Sequence, residues 1–78
     1  MLTLAVIRRD RGIRQKELAD ECGVQPIDIS VAERGLSKLP ERALVVLEEK
    51  FGLPRTVLFG EYDEYVKSQP NVDEGPST

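Results

Sequence analysis

Histidine is absent from the chain, and cysteine occurs once, at Cys22. Within these residues neither a disulfide framework nor a Cys/His metal cluster can be assembled, so no metal and no cofactor is expected. The same gap removes the usual nucleophile-base pairs, and no glycine-rich phosphate loop replaces them; an enzyme is not expected. Glu48 and Glu49 are neighbours on a helix and point in different directions, which makes a poor catalytic carboxylate pair. Long apolar runs are missing too. The stretch 2–7 is shorter than a signal-peptide core and its arginines follow it instead of preceding it, so neither an export signal nor a membrane span is read. A single thiol then fits a reducing, cytoplasmic setting. No segment alternates apolar and polar residues long enough to argue for a strand.

What is present suits one small domain. The 78 residues are 40% apolar, and a chain of this size buries only about 60% of its surface, so its stability is marginal. The net charge of −3 argues against a strongly basic nucleic-acid binder, but it is unevenly spread. Residues 1–42 hold eight Lys and Arg against seven Asp and Glu, whereas residues 43–78 hold three against seven. A basic binding face on the first part and an acidic solvating tail on the second are compatible with that asymmetry.

Glycine and proline punctuate an all-α pattern. Leu4 and Ile7 have helical spacing and Gly12 supplies a stop, which gives a first helix over 2–11. A second runs over 15–22, with Leu18, Ala19 and Cys22 inward and Gly23 at its end. Pro26 opens the third, Ile29 and Ala32 face inward, and Gly35 closes it. Pro40 opens the fourth, whose buried stripe is Ala43, Leu44, Leu47 and Phe51 before Gly52. Pro54 opens the fifth, anchored by Val57, Leu58 and Phe59, with 61–67 as its extension or an interaction segment. Residues 1–67 are therefore expected to form the domain. From about Ser68 the segment SQPNVDEGPST has a single apolar residue, too little to offset its ordering entropy, and residues 68–78 are expected to be a disordered acidic tail.

RGIRQKELADECGV at 11–24, Ile29 and Ser30, the ERG of 33–35 and Pro40 together carry a resemblance. In this spacing the chain resembles the helix-turn-helix domain of the Cro and phage-repressor class, the XRE-like family, over residues 4–59. The resemblance implies a compact five-helix, lambda-repressor-like DNA-binding domain with its helix-turn-helix in helices two and three. The spacing also has physical reasons: Leu18 and Ala19 allow close packing of helix two, Gly23 permits a sharp turn, and Val24 and Ile29 pin helix three against it.

The resemblance further implies a buried ion pair between Arg8 and Glu33; two solvated charges are the alternative. If the pair is buried, losing one partner costs about 3–5 kcal/mol, and Arg8 is unavailable to DNA. Gln15 then holds a DNA phosphate at the start of helix two, near the positive end of the helix dipole. Arg14 and Lys16 flank it, while Arg34 and Lys38 lie just past helix three, so the set could clamp the backbone on either side of the groove. Two departures stand out. Arg14 occupies the place where the family often has a capping Ser or Thr, and Glu48 the place of a small apolar residue.

The resemblance puts Gln25, Pro26, Ile27, Asp28 and Val31 on the base-reading face. Gln25 could pair with adenine N6 and N7, Asp28 accept from cytosine N4, and Ile27 or Val31 pack on a thymine methyl. No arginine-to-guanine contact is available, so affinity would come from phosphates, dimerisation or DNA shape. Asp28 has a local reason to exist as well, because a carboxylate in the first turn stabilises a helix by about 0.3–1 kcal/mol. Ile27 and Val31 equally form a small apolar strip for a protein. The expectation is a sequence-specific DNA-binding transcriptional regulator, a small phage or bacterial repressor on a short pseudo-palindromic operator. Its partner is double-stranded DNA, its state a homodimer, and the apolar surface for that state lies at Phe59, Tyr62, Tyr65 and Val66. The alternative is a protein-interaction module on the same scaffold, anti-repressor or antitoxin-like, with a regulatory protein as its partner.

Overall fold

Helix stops and starts in this chain are built locally, and the computed structural model, which describes residues 1–68, places six helices at them. These are α1 (Thr3–Asp10), α2 (Gln15–Cys22), α3 (Pro26–Glu33), α4 (Glu41–Phe51), α5 (Arg55–Leu58) and α6 (Tyr62–Ser68). No strand occurs among the described residues; Leu2 and Glu61 form an isolated antiparallel bridge. The expected tail beyond Ser68 lies outside the described residues, and Ser68 itself ends α6.

The turn from α2 to α3 shows how sequence sets geometry. Gly23 adopts φ +73°, where a side chain would be strained. The chain then reverses so that Gly23 N–H donates to Asp20 C=O and Val24 N–H to Ala19 C=O, the paired bonds of a Schellman stop. Pro26 follows as the first residue of α3, where its missing N–H has no intrahelical partner to lose. The same stop closes α3: Gly35 donates to Ala32 and Leu36 to Val31. Pro40 and Pro54 each sit one residue ahead of their helices, at the cap position.

Leu4, Leu18, Ile29, Leu47 and Leu58 are fully buried and join five helices into one core. Ala19, Ala32 and Ala43 let the helices approach closely, and Cys22 and Phe51 complete the buried set, with Leu39 reaching in from the α3–α4 loop. Ile7, Leu44 and Phe59 are only half-buried, packed against its margin, and Val57 is half-buried too. Burial pushes the Cys22 thiol up, with the nearby Glu21 adding to the shift, so the thiolate is disfavoured.

The count of five helices requires a correction. Residues 61–67 do not prolong helix five; after a break at Gly60, Glu61 bridges to Leu2 and a separate α6 begins at Tyr62. The break is held from a distance. Thr3 N–H and its hydroxyl both donate to Gly60 C=O, at 2.8 and 3.0 Å, and Tyr62 N–H donates to Met1 C=O. A Cβ on Gly60 would stand 3.0 Å from the Thr56 carbonyl, which favours glycine at this point. Thr3 is consequently fully buried yet satisfied.

Glu48 likewise acquires a local role. Its Oε2 accepts from the backbone N–H of Arg55 at 2.9 Å, capping the start of α5, and from Arg55 Nε at 3.1 Å. The same guanidinium donates two 2.8 Å bonds to Glu41. Glu48 thus ties α4 to α5 without entering the core.

Candidate nucleic-acid interface

The α1, α2 and α3 termini meet at a buried polar knot. Arg8, on the last turn of α1, donates through Nε and Nη2 to the two oxygens of Glu33 at the end of α3, the Nη2 bond measuring 3.1 Å. The two side chains are only 9% and 4% exposed, so the pair is removed from water. Arg8 Nη1 donates to Ile13 C=O at 2.7 Å, fixing the α1–α2 turn. Gln15 Nε2 donates to Glu33 Oε1 at 2.9 Å. Four separated positions in the chain are thereby set in one geometry, and the start of α2 is held against the end of α3.

That geometry constrains the expected phosphate set. One N–H of the Gln15 amide is committed to Glu33, which leaves the other for an anion. The first-turn N–H groups of α2 have no carbonyl a turn earlier in the helix, and they point the same way. Arg14 contributes no side-chain cap, because a guanidinium accepts nothing. Glu17 compensates by accepting from Arg14 N–H at 2.8 Å, and the Arg14 side chain stays exposed. Lys16 has only a 3.4 Å surface pair with Asp20, worth little in water.

Arg34 and Lys38 part company. Arg34 lines a cleft of about 430 Å3 with Gln15 and Glu33, whereas Lys38 lines a second, more apolar depression of about 450 Å3. Leu2 borders both. The two cations expected to contact phosphate thus border different depressions. The first cleft also brings in Arg9 and Ser30, which the sequence reading missed. A signal existed: Ser30 and Arg34 are one helical turn apart, and Arg9 follows the arginine of the knot. Arg42 was missed as well; its guanidinium donates to Gly23 C=O at 3.1 Å and sets a positive charge at the α2–α3 turn.

At the cap and start of α3, Gln25, Pro26 and Ile27 are exposed, Ile27 by 60%, while Asp28, Ser30 and Val31 are half-buried. Asp28 Oδ2 accepts from Gln25 N–H at 3.0 Å, so this carboxylate starts the helix and keeps one oxygen for any other donor. Its local role is visible in the geometry. No group of three His, Cys, Asp or Glu side chains that could hold a metal ion occurs among the described residues. No helix among them is long and apolar enough to cross a membrane.

Comparison with known proteins adds nothing: no family model, no curated protein and no solved structure matches the chain.

Proposed function

We propose that the chain is a sequence-specific DNA-binding transcriptional regulator of the XRE-like helix-turn-helix kind, working in the cytoplasm as a homodimer on a short pseudo-palindromic operator. The observation that carries this reading is the Arg8/Glu33/Gln15 knot, which fixes the start of α2 beside the end of α3 while leaving Gln25, Pro26 and Ile27 exposed at the start of α3. In that frame α3 enters the major groove, and the N-terminus of α2 seats on the phosphate backbone. Gln15, Arg14, Lys16 and Arg34 supply the phosphate contacts, joined by Arg9 and Ser30 across the cleft. Gln25 and Ile27 are the most accessible base readers, an adenine and a thymine methyl being the matching targets.

A second reading is favoured by the exposure of Ile27 together with the use of Asp28 in the helix cap. In it the same face binds a protein, and Ile27→Glu abolishes capture while leaving the fold intact.

The experiment that separates the two is selection from a random duplex pool at low salt, followed by titration of the enriched pool with salt. DNA binding predicts an enriched palindrome and a linear loss of affinity with the logarithm of salt concentration. Arg34→Gln should flatten that slope by about one and weaken all sequences alike. No enrichment, with weak binding that vanishes at modest salt, would transfer the function to the protein-binding reading.

A further inference from the structure

The second depression has features that phosphate binding does not use. Its walls are Ala32, Leu39, Leu44 and Phe59, with Leu2 along one side, and its volume is about 450 Å3. Leu36 lies in the chain between Gly35 and Ser37, which both line it. At 69% it is the most exposed large apolar residue among those described. A hole and a knob thus occupy one surface patch. That combination is what a two-fold contact needs, because each copy must present both halves of the fit.

The charges around the groove complement themselves in the same way. Lys38, which lines the groove, forms no ion pair among the described residues. Arg55, which also lines the groove, is held by two carboxylates, Glu41 and Glu48, so this trio carries an excess negative charge. The Glu41 side chain is exposed and free to face a neighbour. A free cation and a net-negative trio at one groove suit a contact between two copies, each supplying the charge that the other can pair.

We propose that this groove is the homodimer face: Leu36 of each copy seats in the groove of the other, with Lys38 facing the partner's Glu41/Arg55/Glu48 trio. The occupant is a second copy of this chain. This differs from the surface expected from sequence at Phe59, Tyr62, Tyr65 and Val66. Phe59 is turned into the groove wall, the two tyrosines are half-buried, and Val66 alone of that set is exposed. The inference deepens the proposed function by naming the surface that joins two reading helices, but self-association itself does not depend on DNA.

Sedimentation equilibrium of the full chain without DNA, across the micromolar range, tests it. The wild-type chain should be a dimer, Leu36→Glu should raise the dimer dissociation constant by at least about tenfold, and Val66→Glu should leave it unchanged. Circular dichroism checks that Leu36→Glu keeps the fold, as a substitution at an exposed loop residue should. Lys38→Glu gives an independent reading: a smaller weakening that shrinks as salt rises. A wild-type chain that stays monomeric, a dimer indifferent to Leu36→Glu, or one broken by Val66→Glu would each overturn the proposal. A monomer that still enriches a DNA motif would leave the DNA reading standing, and a groove dimer that enriches none would sink the DNA reading alone.

Discussion

Two guanidinium-carboxylate networks hold this small domain together, and they occupy opposite surroundings. Arg8 and Glu33 are almost fully buried and share Gln15 and the Ile13 carbonyl, whereas Arg55 bridges Glu41 and Glu48 at the surface. The bonds are similar in kind and in length. Their consequences differ because taking charge out of water is costly, and only a fully satisfied network offsets that cost. Inside, removing one member strands the others; outside, water replaces whatever is lost. The buried network therefore dictates geometry, and the exposed one adjusts stability with pH and salt.

The sharpest way to break that contrast is Glu33→Ala. It leaves the Arg8 guanidinium buried without its counter-ion and frees the Gln15 amide, so unfolding free energy should fall by about 3–5 kcal/mol. Chemical denaturation followed by circular dichroism measures it. A loss comparable to that of an ordinary surface mutant would mean that water reaches the pair and that the distinction between the networks is false.

Gln15→Leu is the next test, and it separates structure from binding. Losing the bond to the Glu33 carboxylate should cost about 1.5 kcal/mol, the lower end for a bond to a charged group because Gln15 is half-exposed. Affinity for DNA should also drop at a temperature where the variant is still folded. If stability falls and binding does not, Gln15 is a member of the knot only.

Asp28→Ala probes a residue with a local and a possible distant role. Loss of its bond to Gln25 N–H should lower stability by about 0.5–1 kcal/mol. If Asp28 also reads a base, the sequence enriched from random duplexes should change at one position in each half-site. An unchanged motif would confine Asp28 to the helix start.

Much of this architecture was legible because its signals are local. Gly12, Gly23, Gly35 and Gly52 lie at positive φ within two residues of the ends of α1 to α4, so those boundaries could be read from the local sequence alone. The separation of α6 from α5 could not, since it depends on Thr3 and Met1 bonding Gly60 and Tyr62 at the far end of the domain. The burial of Thr3 was invisible for the same reason. Arg8 and Glu33 are 25 positions apart, and only a family resemblance suggested that they meet. Lys38 shows the limit of adjacency in sequence: four residues from Arg34, it opens on a different depression because the chain turns at Gly35.

The smallest effect is expected at Arg55, and its pH dependence is the informative part. Hydrogen bonds from the Arg55 side chain hold the Glu41 and Glu48 carboxyls below their ordinary range, with the Arg55 backbone N–H adding to the shift at Glu48. The carboxylates in turn push the guanidinium pKa up, so Arg55 stays charged throughout. A carboxyl depressed in the folded state contributes its stabilisation fully above its unfolded value, about 4.3 for glutamate, and loses it as pH falls through the lower folded value. Arg55→Ala should therefore be modestly less stable than wild type at neutral pH and low salt. The gap should narrow below the ordinary carboxylate range and also as salt screens the exposed charges. Melting both proteins over an acid-to-neutral series measures the gap directly. A difference that persists unchanged in acid would assign Arg55 a packing role through its aliphatic stem, beside Thr56 and Phe59 in the groove, in place of an electrostatic one.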